Sequence, residues 1–143
     1  MAEGFKLTDK QIKYISLFEA TSGAAVIDCV DSGEMMVFVV RKGDIGKVLR
    51  RHGNSLKRFS SMTKRKIKVV EHSEDPADFI KNAFSPAKIT DLRVAEKPDG
   101  RKIAVVAVLA KDKGLAIGRE GRTVGLIRTL AKRHYDIDQV IVH

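Results

Sequence analysis

The sequence predicts an α+β chain made of two related units. Each runs helix, strand, strand, short helix, helix, strand, with a three-stranded sheet backed by helices. Three observations predict it. Two near-continuous apolar runs of strand length, Met35 to Val40 and Ile103 to Leu109, read as strands. Each is followed by a basic, glycine-containing stretch and then by apolar residues at helical spacing. The two stretches also align at a fixed offset of 68 residues. That offset places Gly46 on Gly114, Leu49 on Ile117, Arg51 on Arg119, Gly53 on Gly121, Leu56 on Val124 and Phe59 on Ile127. A constant offset over a strand and two helices marks a duplicated unit. The units are 1–73 and 74–143, each near the lower size limit for a useful core.

In the first unit, Met1 to Leu7 is a short leader. Thr8 opens a helix, because its hydroxyl can cap the first turn while Gln11 reciprocates. Ile12, Ile15 and Phe18, with Tyr14 and Leu17, form its apolar side, and Gly23 ends it. Ala25 to Val30 is a strand, Asp31-Ser32-Gly33 a turn, and Met35 to Val40 the returning strand. Its unbroken apolar character suggests a central position. Asp44 is placed to cap a short helix, Ile45 to Leu49. Arg50-Arg51-His52-Gly53 is a link, and the next helix puts Leu56, Phe59 and Met62 on its inner face. Ile67 to Val70 closes the sheet.

The second unit repeats the plan. Asp75-Pro76 marks a helix start, with Asp at the cap and Pro at the first helical position. Ala77, Ile80, Ala83 and Phe84 supply its stripe, and Ser85-Pro86 stops it. Ile89 to Ala95 is a strand, Lys97-Pro98-Asp99-Gly100 a turn, and Ile103 to Leu109 the return. A short helix at Lys113 to Ile117, a glycine link, a helix to Arg133 and the strand Gln139 to Val142 complete it.

The link is the informative stretch. Gly118 and Gly121 stand three apart with Arg119 and Glu120 between them. Glycine lets another backbone come close, since no Cβ blocks the approach. The surroundings are basic: the chain carries a formal charge of +9. Arg41 to Lys68 holds 11 basic residues against Asp44 alone, and Lys111 to Arg133 holds 7 against Asp112 and Glu120. Such a field attracts polyanions. The first unit departs at one position, where Arg50 stands in place of Gly118. A bulky side chain there hinders close backbone approach, though its charge can reach a phosphate from farther off.

Taken together, these features resemble the KH family in the type II arrangement of bacterial and archaeal proteins, where the extra helix and strand come first. Its hallmark, Ile-Gly-x-x-Gly, is met by Ile117-Gly118-Arg119-Glu120-Gly121. Over essentially its whole length the chain is similar to archaeal NusA-like transcription factors, which consist of two tandem KH domains. The resemblance implies single-stranded RNA contact in transcription elongation or termination. It implies an RNA site at Gly118, Arg119, Glu120 and Gly121, with Ala116, Ile117 and Val124 at the groove's apolar positions and Arg122 beside them. In the first unit the corresponding link is Arg50, Arg51, His52 and Gly53. RNA polymerase or the transcription complex follows as a possible partner, and the cytoplasm as the location.

Other classes find little support. One cysteine, Cys29, builds neither a disulfide framework nor a metal cluster, and the four histidines match no zinc spacing. Gly-x-x-Gly lacks the length and the Lys-Ser/Thr end of a phosphate-transfer loop. No nucleophile, base and orienting acid stand out. The expectation is no enzyme, no metal, no cofactor and no membrane segment. Two further readings stay open on the residues alone. One is a protein-interaction module docking on RNA polymerase or a ribosomal partner; the other is a general single-stranded nucleic-acid binder.

Overall fold

The computed structural model describes residues 7–32 and 34–143, with the side chains of Arg51, His52 and Ser55 outside the description. The expected leader, Leu7 excepted, and Gly33 of the first hairpin turn also fall outside it. The chain divides into two compact units that meet between Ser73 and Glu74.

In the first unit, Thr8 caps α1 (Asp9–Ser22) reciprocally: Gln11 N donates to Thr8 Oγ1 at 3.1 Å and Thr8 N to Gln11 Oε1 at 3.0 Å. Gly23, at φ 77, ends it and donates to Glu19 O at 2.8 Å. β1 (Val26–Asp31) pairs antiparallel with β2 (Met35–Val40), and β3 (Lys66–Glu71) pairs parallel with β2. β2 is therefore central, and Met36 through Val40 are buried. Between β2 and β3 the chain crosses over through α2 (Ile45–Thr63). Three rings join these layers. Phe18 of α1 stacks on Phe38 of β2 at 4.3 Å and 8° between planes, and Phe59 of α2 meets both edge-on at 5.3 and 5.4 Å. Cys29 of β1 is buried in the same cluster.

The second unit repeats the topology. Asp75 caps α3 (Pro76–Phe84) by accepting from Ala77 N at 3.1 Å, with Pro76 at the first helical position. β4 (Ile89–Glu96) and β5 (Lys102–Val108) form an antiparallel hairpin, closed where Gly100 N donates to Lys97 O at 2.8 Å. β5 ends one residue before Leu109. α4 (Lys113–Ile117), the link and α5 (Arg122–Tyr135) lead to β6 (Gln139–Val142), parallel to β5. The core comprises Phe79, Ile80 and Phe84 of α3, Ala104 and Val106 of β5, Ile127 and Leu130 of α5, and Val140 of β6.

Three expectations for the first unit need correction. Within the helical run Ile45–Thr63, the first of the two helices continues through positions 50–52 of the expected link rather than ending at Leu49. Gly53 interrupts it at φ 74, but nothing turns the chain outward before that point. Arg50 is the reason: a side chain there favours continued right-handed helix, where the second unit has a glycine that can leave it. Met62 does not face inward but is 56% exposed. Asp44 occupies the helix start yet makes no cap hydrogen bond. Its carboxylate instead accepts from Ala25 N at 2.8 Å and lies 3.6 Å from Arg41 and 3.4 Å from Lys47. The second unit has the same device. Asp112, at the 68-residue offset, accepts from Lys88 N at 2.9 Å. In each unit a carboxylate ties the start of the link-bearing helix to the chain that enters the first strand.

This tie has a pH consequence. The hydrogen bond from Ala25, with Arg41 and Lys47 nearby, holds the Asp44 carboxyl below its ordinary value of 3.8. A depressed folded-state pKa contributes stability that is full above the unfolded value and is lost as pH falls through the folded one. Below about pH 4 the first unit should therefore lose stability faster than an Asp44→Asn variant does. Urea midpoints of the two proteins at pH 5 and pH 3 check this. Parallel losses would show that Asp44 contributes no pH dependence.

Candidate nucleic-acid interface

The second-unit link is held open by glycine at both ends, for different reasons. Gly118 ends α4 at φ 78 and ψ 170, donating its N–H to Gly114 O at 2.9 Å. That conformation is essentially restricted to glycine. Space is restricted too: a Cβ on Gly118 would lie 2.7 Å from Thr123 Cβ and 2.8 Å from Thr123 N. Gly121 starts α5 in the left-handed region at φ 74, with open space around it. Between them Arg119 and Glu120 form a tight turn, Glu120 itself left-handed at φ 56 and ψ 26.

Three amides of the link are committed within the chain. Gly118 donates to Gly114, Gly121 to Gly118 O at 3.1 Å, and Arg122 to Arg119 O. The N–H groups of Arg119 and Glu120 open this turn, where the leading amides have no partner within the turn itself. Both residues are exposed. Two adjacent leading amides in an exposed turn between two Cβ-free positions suit a phosphate oxygen.

The side chains divide into surface and support. Arg119 is exposed and belongs to no ion pair among the described residues. Arg122, half-buried, pairs with Glu120 at 3.2 Å. Ile117 is half-buried, whereas Ala116 has no exposed surface and Val124 only 5%. Ala116 and Val124 thus belong to the packing beneath the link. Two other cations of this unit are already engaged. Arg128 Nε donates to Val140 O at 3.0 Å, pinning α5 to β6. Lys132 Nζ bridges Asp136 and Asp138 at 2.8 and 2.7 Å, and these hydrogen bonds push its pKa up.

The first unit presents a different face. Arg50 is exposed and Gly53 is buried, although Gly53 has the same left-handed φ of 74 as Gly121. Lys57, Arg58, Lys64 and Lys66 are exposed. Arg65 is instead spent on Asp31 at 2.8 Å and lies over the Tyr14 ring at 5.5 Å. Lys68 is half-buried, and burial lowers its pKa.

Comparison with known proteins agrees with this geometry. Residues 76–142 match the family described as the NusA-like second KH domain. A probable transcription termination protein NusA of Methanococcus vannielii is 37% identical over 129 residues, covering 90% of this chain and 73% of that protein. One from Halobacterium salinarum is 30% identical over 135 residues, covering 94% of this chain and 96% of that protein. This chain belongs to the archaeal NusA-like family. The solved crystal structure of APE1850 superposes with a TM-score of 0.77 at 29% identity, covering 96% of this chain and all of that one.

The two repeated units are the tandem type II KH folds of the NusA-like family. The family is a non-catalytic one, and among the described residues no group of His, Cys, Asp or Glu could hold a metal ion. No helix among them is long and apolar enough to cross a membrane. Sequence reasoning missed two features of the links and their support. One is Thr123, whose side chain fills the place of a Gly118 Cβ. The other is the Asp44 and Asp112 pair, which the 68-residue offset already aligned.

Proposed function

We propose that this NusA-like protein binds single-stranded RNA across the Gly118–Gly121 link, in transcription elongation or termination. The observation that carries this reading is the exposed Arg119–Glu120 turn between Gly118 and Gly121, whose leading amides have no partner within the turn. A phosphate oxygen accepts from these amides, Arg119 and Arg122 supply charge, and Ile117 borders the bases. In the first unit Arg50 contacts phosphate by charge rather than by backbone, because Gly53 is buried and Arg50 stands in the first glycine's place. The protein acts in the cytoplasm, with transcripts as its ligands.

The test is a double charge substitution, Arg119→Asp with Glu120→Asp. Both side chains are exposed, so the fold should survive. Binding to a short single-stranded RNA should weaken at least about tenfold at about 100 mM salt, since a cation at the phosphate contact becomes an anion. Unchanged affinity would remove RNA from this site. Matched RNA and DNA strands in competition would separate an RNA binder from a general single-strand binder.

A second reading rests on the first unit. Its exposed Arg50, Lys57, Arg58, Lys64 and Lys66 present positive charge without an open glycine link. That surface suits an acidic patch on RNA polymerase or another member of the transcription complex. Capture of the polymerase from nuclease-treated lysate, retained by the Arg119→Asp/Glu120→Asp variant, would support it. Loss of capture on nuclease treatment would assign the contact to RNA.

A further inference from the structure

Glu120 is the one acidic residue of the four-residue link, and its backbone is bent where a side chain is disfavoured, at φ 56 and ψ 26. The bend has a specific result. On a regular helix, residues two apart do not face each other. Here Glu120 and Arg122 do: Glu120 Oε2 lies 3.2 Å from Arg122 Nη2, with the glutamate side chain 72% exposed and the arginine 31%. A carboxylate on a guanidinium is the same charge-assisted contact that a phosphate makes there. Arg119, next to it, has no such partner among the described residues.

We propose that Glu120 is an intramolecular stand-in for phosphate. It holds the Arg122 guanidinium at the link in the free protein and is displaced when an RNA phosphate docks. This rests on the reading of the link as the RNA site. An incoming anion competes with Glu120 for Arg122, so every polyanion binds more weakly than the basic field alone would allow. A ligand whose backbone also meets the Arg119 and Glu120 amides recovers that loss. A ligand offering diffuse charge does not. Glu120 is thus a positioning residue that sets selectivity between single-stranded RNA and unspecific polyanions.

The test is a double-mutant cycle on the full chain, read as affinity for a short single-stranded RNA and for heparin at about 50 mM salt. Glu120→Gln should tighten RNA binding about 3- to 10-fold and heparin binding by more, with a salt slope steeper by about one. Glu120→Asn, which suits the left-handed backbone, should do the same. In an Arg122→Gln background the gain should shrink below about twofold, because the pair is the route of the effect. A gain that persists undiminished there would mean plain repulsion and overturn the proposal, as would no gain in the parent protein. Amide shifts of Gly118 to Gly121 on adding RNA to the parent protein keep the two readings apart. If they move while Glu120→Gln changes nothing, only the stand-in fails; if they stay still, the RNA site fails and the stand-in with it.

Discussion

Gly118→Ala should destabilise the second unit by about 3–5 kcal/mol, while Gly121→Ala should cost about 1–2 kcal/mol. The two glycines share a motif but not a physical role. At Gly118 the backbone lies at φ 78 and ψ 170, and an added Cβ meets both the side chain and the backbone nitrogen of Thr123. Thr123 is buried at the start of α5 and cannot give way without moving that helix. Strain and overlap therefore add. At Gly121 only the left-handed φ of 74 resists a side chain, because the space around it is open. A unit of about 70 residues has roughly 4–10 kcal/mol in hand, so Gly118→Ala brings it close to unfolding. RNA binding should fall with it. Urea unfolding of both variants checks the order, and equal losses would show that Thr123 does not constrain the link.

Phe38→Ala should cost the first unit about 3–5 kcal/mol, among the largest effects of any single core truncation. Phe38 sits on the central strand, opposite Cys29 on one side and Val69 on the other. Its ring contacts both helical segments packed on the sheet, Phe18 of α1 face to face and Phe59 of α2 edge-on. No neighbour is placed to fill the space, since Phe18, Phe38 and Phe59 are all fully buried and mutually in contact. Urea unfolding of the variant beside the parent chain, followed by far-ultraviolet circular dichroism, checks this. A loss below about 1.5 kcal/mol would mean that the three rings repack readily.

Much of the second unit was legible because local chemistry and tertiary demand agree there. Asp75-Pro76 starts a helix by capping, Lys97 to Gly100 turns a hairpin, and Gly118 leaves a helix in a conformation only glycine tolerates. The bounds of α4 and β6 fall where the sequence placed them. The first-unit link was harder to read. The alignment showed Arg50 in the glycine's place, but that this keeps the helix running to Gly53 depends on what a side chain forbids in three dimensions. Asp44 was read as a cap because its neighbours in sequence invite it. Its partner is Ala25, 19 residues away, which no local pattern reveals. Met62 followed the helical spacing of Leu56 and Phe59, yet it lies one residue from the end of α2 and is exposed. At the site, the glycine spacing pointed to the link, but the division between open Arg119 and paired Arg122 is a matter of side-chain geometry.

The parallel pairing of β5 with β6 has a kinetic corollary. Hairpin β4–β5 joins strands adjacent in the chain, so it can assemble early and alone. β6 cannot: every residue of the crossover, Gly118 to Gly121 among them, must be seated before its amides find β5. β6 should therefore join the sheet last, and loosening of the turn should release it in the same opening event. A nucleotide chain clasped at residue 120 would then shield, by mass action, amides at the far edge of the sheet that it never touches.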